Sequence, residues 1–254
     1  RKYNKDHQRK LPCTLEEAGV TVVNINGINF KYFYPLFCDT DWKEERLPIW
    51  CSGITDRDPL PDVEKDDEGK IVKKEEKYPV KGEKIVGGNE AIDLADDINS
   101  TQRARLYVAP LKTFEYDLAM SGNISIMAEV LEEKWPKDGG EKGVKNQCKQ
   151  IKNKNNVYID KEEMREDAKF IYKHIDCDEM GKGFFSQALL EKIEEKNILV
   201  VPEYIKKEGV SLSKKPVKTS FTGFDLIKFP LSSRIEQFNF FKCKTPYFSC
   251  YFVF

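Results

Sequence analysis

Histidine is almost absent from this 254-residue chain, which carries only His7 and His174. Its seven cysteines, at 13, 38, 51, 148, 177, 243 and 250, are odd in number, far apart and never spaced as C-x-x-C. These shortages argue against a zinc site and a disulfide scaffold, and they fit a reducing compartment where thiols serve as small core residues. No apolar run approaches the ~18 residues of a membrane span. The polar opening Arg1-Lys2-Tyr3-Asn4-Lys5 also lacks the apolar stretch of a secretory signal. The expectation is a soluble, cytoplasmic protein with no membrane partner. An excess of charge is missing too. With 42 basic and 43 acidic residues the net charge is −1, so no global basic field advertises nucleic acid. Any polyanion must be held by local residues. No G-x-x-x-x-G-K-[ST] stretch occurs, so a P-loop ATPase is not part of these residues.

What is present suits a folded α/β layer. The chain is 40% hydrophobic and 33% charged, enough apolar residues to fill a core in one large domain or two small ones. Val20 to Ile25 is short and β-branched and closes on Asn26-Gly27, a strand followed by a turn. Phe30, Phe33, Tyr34 and Phe37 fall at helical spacing, interrupted by Pro35. Leu47 to Thr55 reads as a buried strand running into Asp56-Arg57-Asp58. Residues 62–88, dense in Lys, Glu, Asp and Gly, read as an exposed excursion with a hairpin around Ile71-Val72 and Ile85-Val86. A helix over Asn89 to Asn99 and a strand over Arg105 to Ala109 complete the order strand, helix, strand, helix, strand, which predicts parallel strands.

Helices are expected over Glu115 to Met120 and Ile124 to Trp135, broken at Ser121-Gly122-Asn123. Residues 137–156 have loop composition and read as a linker or insertion. Helix resumes over Lys161 to His174, with Met164, Ala168, Ile171 and Ile175 inward. Another opens at Gly181-Lys182-Gly183, with Phe185, Leu189 and Ile193 four apart. The last stretch, 211–254, differs in kind: it holds 11 of the 30 aromatics and seven basic residues against two acids. An extra β-rich packing element, a basic aromatic strip for single-stranded nucleic acid, or a stretch not selected to fold are the open readings.

Three local features could carry chemistry. Asp56 and Asp58 leave the C-terminal end of a buried strand, where open α/β sheets place ligands, and both could turn toward one hard cation. An acidic turn after a strand looks the same. Glu115, in Lys112-Thr113-Phe114-Glu115-Tyr116-Asp117-Leu118, falls at a helix start after the third strand and could add a carboxylate. The plainer alternative is a charge complementing the helix dipole. Gly181, Lys182 and Gly183 set an ammonium among backbone N–H groups at a helix N-terminus, suited to a phosphate oxygen, although a solvent-facing lysine would read alike.

In order and wording, these stretches resemble the Toprim nuclease domain of the OLD (overcoming lysogenisation defect) family of ATP-dependent endonucleases. The resemblance rests on Gly19-Val20-Thr21-Val22-Val23-Asn24-Ile25-Asn26-Gly27 with Phe30, on Ile54-Thr55-Asp56-Arg57-Asp58, and on Lys112 to Ala119. It continues through Gly181-Lys182-Gly183-Phe184-Phe185-Ser186-Gln187-Ala188-Leu189 and Val201-Pro202-Glu203-Tyr204-Ile205, spanning about residues 11–206. It implies a Toprim, Rossmann-like parallel sheet flanked by helices, with a helical insertion. It also implies Mg²⁺ or Mn²⁺ at Asp56, Asp58 and Glu115, with Asp117 as a substitute ligand. Lys182, between Gly181 and Gly183, would steady the phosphate. The implied catalytic set is Asp56, Glu115 and Lys182, cutting DNA with two metal ions. The family's opening strand ends in a Glu-Gly motif expected upstream of Gly19, and Arg1 to Pro12 does not supply it. Residues 1–210 thus read as a Toprim-like domain lacking its first strand, from the C-terminal part of a longer protein. An ABC-type ATPase domain would lie elsewhere in that parent, the only route by which ATP would enter. A homo-oligomer and a role in defence against phage are implied by the family alone. The other readings are an inert Toprim module that binds DNA or partner chains, and another Mg²⁺-dependent phosphate or sugar-nucleotide enzyme using Asp56 and Asp58.

Overall fold

The computed structural model describes residues 21–24, 30–37, 50–88, 90–101, 103–137, 140, 143–206 and 251–253. Strand β1 is Val22–Asn24, followed by a short helix α1 over Phe30–Phe33 that tightens to 3₁₀ geometry at Tyr34–Leu36, with Pro35 in its first turn. Strand β2, Cys51–Thr55, is buried along its whole length and pairs in parallel with β5, Ala104–Val108. Helix α2, Ala91–Ser100, connects toward β5. A three-residue strand β6, Tyr251–Val253, lies between β1 and β2 and is antiparallel to both. It follows that β1, β2 and β5 all run the same way, as the strand–helix alternation predicts. The order β1-β6-β2-β5 was not legible in the sequence, because β6 comes from the far end of the chain. The reading of the tail otherwise lies outside the described residues.

Side chains alternate across the sheet as the pleat requires. On one face Cys51, Ala104 and Leu106 pack with Phe30, Phe37, Ala95 and Ile98 of α1, α2 and their surroundings. Gly53 belongs to this face because a Cβ there would lie 2.7 Å from Phe30 Cε1. On the other face Ile54 packs with Ala109, Tyr204 and Ile205. Both faces are covered, which is the α/β arrangement.

The larger core lies among the helices that follow: α3 (Phe114–Leu118), α4 (Ile124–Lys134), α5 (Val144–Asn153), α6 (Lys161–Ile175) and α7 (Lys182–Lys196). Ile124, Met127, Leu131, Ala168, Ile171 and Ile175 are fully buried, each large aliphatic contributing roughly 1.5–3 kcal/mol. Ala168, Ile171 and Ile175 on α6, and Phe185 and Leu189 on α7, are core residues at the predicted spacing. Between α3 and α4 a π-turn over Ala119–Asn123 bends the chain at Gly122, whose φ is +99°. This is the predicted break. Asn123 fixes it, donating to Leu118 O at 2.7 Å and Val200 O at 2.8 Å while accepting from Val200 N at 2.8 Å.

Two expectations need correction. The hairpin in 62–88 pairs β3 (Asp62–Lys65) with β4 (Ile71–Glu75), not Ile71-Val72 with Ile85-Val86. Asp66 sets its turn, its Oδ1 accepting from the backbone N–H groups of Glu68 and Lys70. Nor is the excursion exposed throughout, since Tyr78, Pro79 and Val80 are buried. Second, 137–156 is not simply loop. Residues Val144–Asn153 form α5, which buries Cys148 and Ile151 in the helical core. Among the described residues no helix is long and apolar enough to cross a membrane.

Candidate functional site

The end of β2 and the first turn of α3 meet through a short set of backbone bonds. Thr55 O accepts from Ala109 N at 2.8 Å, and Lys112 O accepts from both Arg57 N (2.8 Å) and Asp58 N (3.2 Å). Arg57 Nε donates to Ala109 O at 3.2 Å. Asp58 adopts φ +49°, a left-handed conformation that Asp tolerates better than most residues. These bonds lock the 56–58 turn onto the loop that precedes α3. Asp56 completes the lock, since its Oδ1 accepts from Phe114 N at 2.8 Å, at the start of α3.

Thr113 caps α3, its side chain accepting from Tyr116 N, so Glu115 sits in the first turn where an acid opposes the helix dipole favourably. Across from it, Gly181 at φ +73° turns the chain into α7, and Lys182 is the first residue of that helix. Its Nζ lies 3.6 Å from Glu115 Oε2 and 3.5 Å from Asp176 Oδ1. The Lys182 side chain is 33% exposed and that of Glu115 13%, so the pair stands at the boundary of the interior. Glu115 Oε2 is itself buried and makes no hydrogen bond among the described residues.

Electrostatics join these groups into one unit. Burial first, then Glu115 and Asp58, push Asp56 well above the usual carboxylate range, against the opposing pull of Lys182 and the Phe114 N–H. Burial works against the charge on Lys182, but Glu115, Asp176 and Asp56 together outweigh it and raise its pKa. Asp58, Glu115 and Lys182, singled out in the sequence from three separate stretches with Asp56, therefore all act on Asp56. Gly181 and Gly183 flank the lysine in the turn and first residues of α7.

Asp117 is placed differently. Its Oδ1 accepts from Leu111 N at 3.1 Å and its Oδ2 from Lys112 N at 2.9 Å, and the residue is 2% exposed. Both oxygens are engaged in holding the β5–α3 loop, a role distinct from the substitute metal ligand that the resemblance implies. Burial, against those two N–H bonds, pushes its pKa up to about 7.

Three other members were given no role in the sequence analysis. Asp176, just past α6, accepts from the Tyr172 hydroxyl at 3.2 Å and contacts Lys182. Tyr172 stays protonated because burial, then Asp176, raise its pKa. Lys112 is buried between the rings of Tyr78 (4.6 Å) and Tyr172 (5.7 Å) and pairs with Glu76 at 3.3 Å. The i, i+4 spacing of Tyr172 and Asp176 at a helix end was the one legible signal.

Among the described residues no three His, Cys, Asp or Glu side chains gather tightly enough to enclose a metal ion by themselves. The donor chemistry still suits a hard divalent cation: mutually repelling carboxylates with one buried oxygen lacking a hydrogen bond. Mg²⁺ is commonly held by one or two carboxylates, with water and substrate phosphate completing its shell, so a full protein cage is not required. Comparison with known proteins returned nothing: no family model, no curated protein and no solved structure matches the chain.

Proposed function

We propose that this chain carries the nuclease site of a metal-dependent DNA endonuclease, with a Toprim-like sheet of the kind found in OLD-family enzymes. The observation that carries the reading is the meeting of Glu115 and Lys182 at 3.6 Å beside the buried Asp56. These residues come from separate stretches that share the family's wording, and a chance likeness gives no reason for them to meet. Asp56 and Glu115, with Asp58 on the adjoining turn, would hold Mg²⁺ or Mn²⁺. When bound, the ions would lower the pKa of a water nucleophile and offset charge on the scissile phosphate.

The protein's own groups have defined tasks. Asp56 is fixed by Phe114 N–H, so its second oxygen is oriented by the fold. Lys182 offers an ammonium to a phosphate oxygen, with the first N–H groups of α7 beside it. Charge developing on that oxygen strengthens the contact in the transition state, which is where it accelerates the reaction. A DNA partner, a homo-oligomer and an ABC-type ATPase domain in a longer parent belong to the same proposal.

The test is nicking of supercoiled plasmid by the chain with Mn²⁺ or Mg²⁺. Nicked product that is lost with EDTA and with Asp56→Ala supports the reading. Activity on small phosphate esters or sugar nucleotides, indifferent to Lys182→Ala, would replace it with the Mg²⁺-dependent small-molecule enzyme. A second reading, a module that binds DNA without cutting, is favoured by the absence of a three-carboxylate group among the described residues. It predicts DNA binding with no metal-dependent nicking.

A further inference from the structure

Lys182 is shared almost equally between two carboxylates, Glu115 at 3.6 Å and Asp176 at 3.5 Å. Glu115 is a proposed metal ligand, and Asp176 has no such role. A divalent cation approaching Glu115 meets an ammonium of the same sign already paired with it. The two cannot both neutralise one carboxylate at close range without strong repulsion. Moving the ammonium toward Asp176 relieves that repulsion, and the lysine stem has the rotatable bonds to do so.

Asp176 is built to receive it. Its backbone N–H caps the end of α6 by donating to Tyr172 O at 2.9 Å, which fixes its place in the chain. Its Oδ2 accepts from the Tyr172 hydroxyl, leaving Oδ1 turned to Lys182. Tyr172 is itself 8% exposed, held edge-on to Tyr78 and Tyr116 with ring centroids 6.0 and 6.5 Å away. Lys182 Nζ also lies 5.6 Å from the Tyr172 ring centroid, so the aromatic face adds to the pull of Asp176 on the ammonium. Glu115 offers no comparable anchorage, since its Oε2 makes no hydrogen bond among the described residues.

We infer that Asp176, set by the Tyr172 hydroxyl, is a positioning residue that draws the Lys182 ammonium off Glu115 and so opens Glu115 to a divalent cation. This rests on the metal reading of the site and adds a regulator of its loading. Asp176 does not touch the cation, and its effect passes wholly through Lys182.

The experiment is a double-mutant cycle read by calorimetric titration of Mn²⁺ into the chain at neutral pH, with no substrate present. Asp176→Asn should leave Lys182 on Glu115 and weaken Mn²⁺ binding about tenfold, the low end of effects for groups beyond the ligands. Lys182→Met should tighten binding, and in that background Asp176→Asn should have little effect. Tyr172→Phe keeps the ring and loses only the hydroxyl, so it should shift binding in the same direction as Asp176→Asn, again only when Lys182 is present. It serves as the second variant if Asp176→Asn melts early. Equal weakening by Asp176→Asn with and without Lys182 overturns the inference, and so does no weakening at all, while either leaves the metal site standing. A wild-type chain that takes up no Mn²⁺ overturns the metal reading and the inference together.

Discussion

Asp56 Oδ1 accepts a 2.8 Å hydrogen bond from Phe114 N, which binds the turn after β2 to the first turn of a helix 58 positions away in sequence. The bond orders the carboxylate without neutralising it. Burial and the neighbouring acids keep the ionised form costly, so the folded chain stores repulsion at the point where a cation would relieve it.

Asp56→Asn should therefore separate fold from function. The amide oxygen keeps the bond from Phe114 N and removes the buried charge, so the melting temperature at pH 8 should stay level or rise. Mn²⁺ should raise the melting temperature of the wild type and fail to do so for the variant. Thermal melts with and without Mn²⁺ read both effects. An equal Mn²⁺ shift in the two proteins removes Asp56 from the metal site, as would full nicking activity in the variant.

Asp117 predicts how stability depends on pH. An unfolded Asp titrates near 3.8, whereas the buried carboxyl is pushed up to about 7. Between those values the folded state holds the proton more firmly than the unfolded one, so this residue's contribution falls as pH rises and levels off above about 7. Three pKa units correspond to at most about 4 kcal/mol. Asp56, also raised, slopes in the same direction. Asp117→Asn should flatten the wild-type loss between pH 4 and 7, although it gives up one of two backbone bonds. Urea unfolding at several pH values, taken as the difference between the two proteins, measures this. A wild-type curve that rises through the window relative to the variant would reverse the sign and overturn the assignment.

The site was legible where residue type and spacing alone fix position. Asp56 follows a mostly apolar stretch, Leu47 to Thr55, and Lys182 lies between glycines ahead of an apolar helical stripe, so their element ends could be read directly. Asp117 shows what spacing leaves open, because a carboxylate in the first turn of a helix can face a site or fold back onto its own loop. Its bonds from the N–H groups of Leu111 and Lys112 are visible only in the fold. Helix α5 hid because its Lys- and Asn-rich sequence offers few apolar anchors. Packing of Cys148 and Ile151 on the core stabilises it more than local propensity does. Asp176 offered only its i, i+4 spacing from Tyr172, since its meaning comes from an amine that the fold brings near.

The bend between α3 and α4 should be a structural requirement separate from the chemistry. Asn123 is 1% exposed and satisfies three backbone groups across two segments. Asn123→Ala strands those groups and should cost about 2–4 kcal/mol in chemical denaturation. Gly122→Ala meets no close atom, with Val200 Cγ2 the nearest at 3.8 Å, so the cost there is the strain of a positive φ, about 1–2 kcal/mol. A loss at Gly122 as large as that at Asn123 would mean that the bend is limited by packing.

Lys182 offers the sharpest test of the chemistry, because binding and catalysis make different demands on it. Its ammonium already has Glu115 and Asp176 as partners, so a ground-state phosphate gains only part of its charge. In the transition state the phosphate oxygens carry more negative charge and draw the ammonium harder. Lys182→Ala should then lower the nicking rate by about 10²- to 10³-fold, with DNA affinity changed by less than about threefold. Single-turnover cleavage beside a filter-binding titration separates the two quantities. Equal losses in rate and affinity would make Lys182 a binding residue, and an unchanged rate would remove it from the mechanism.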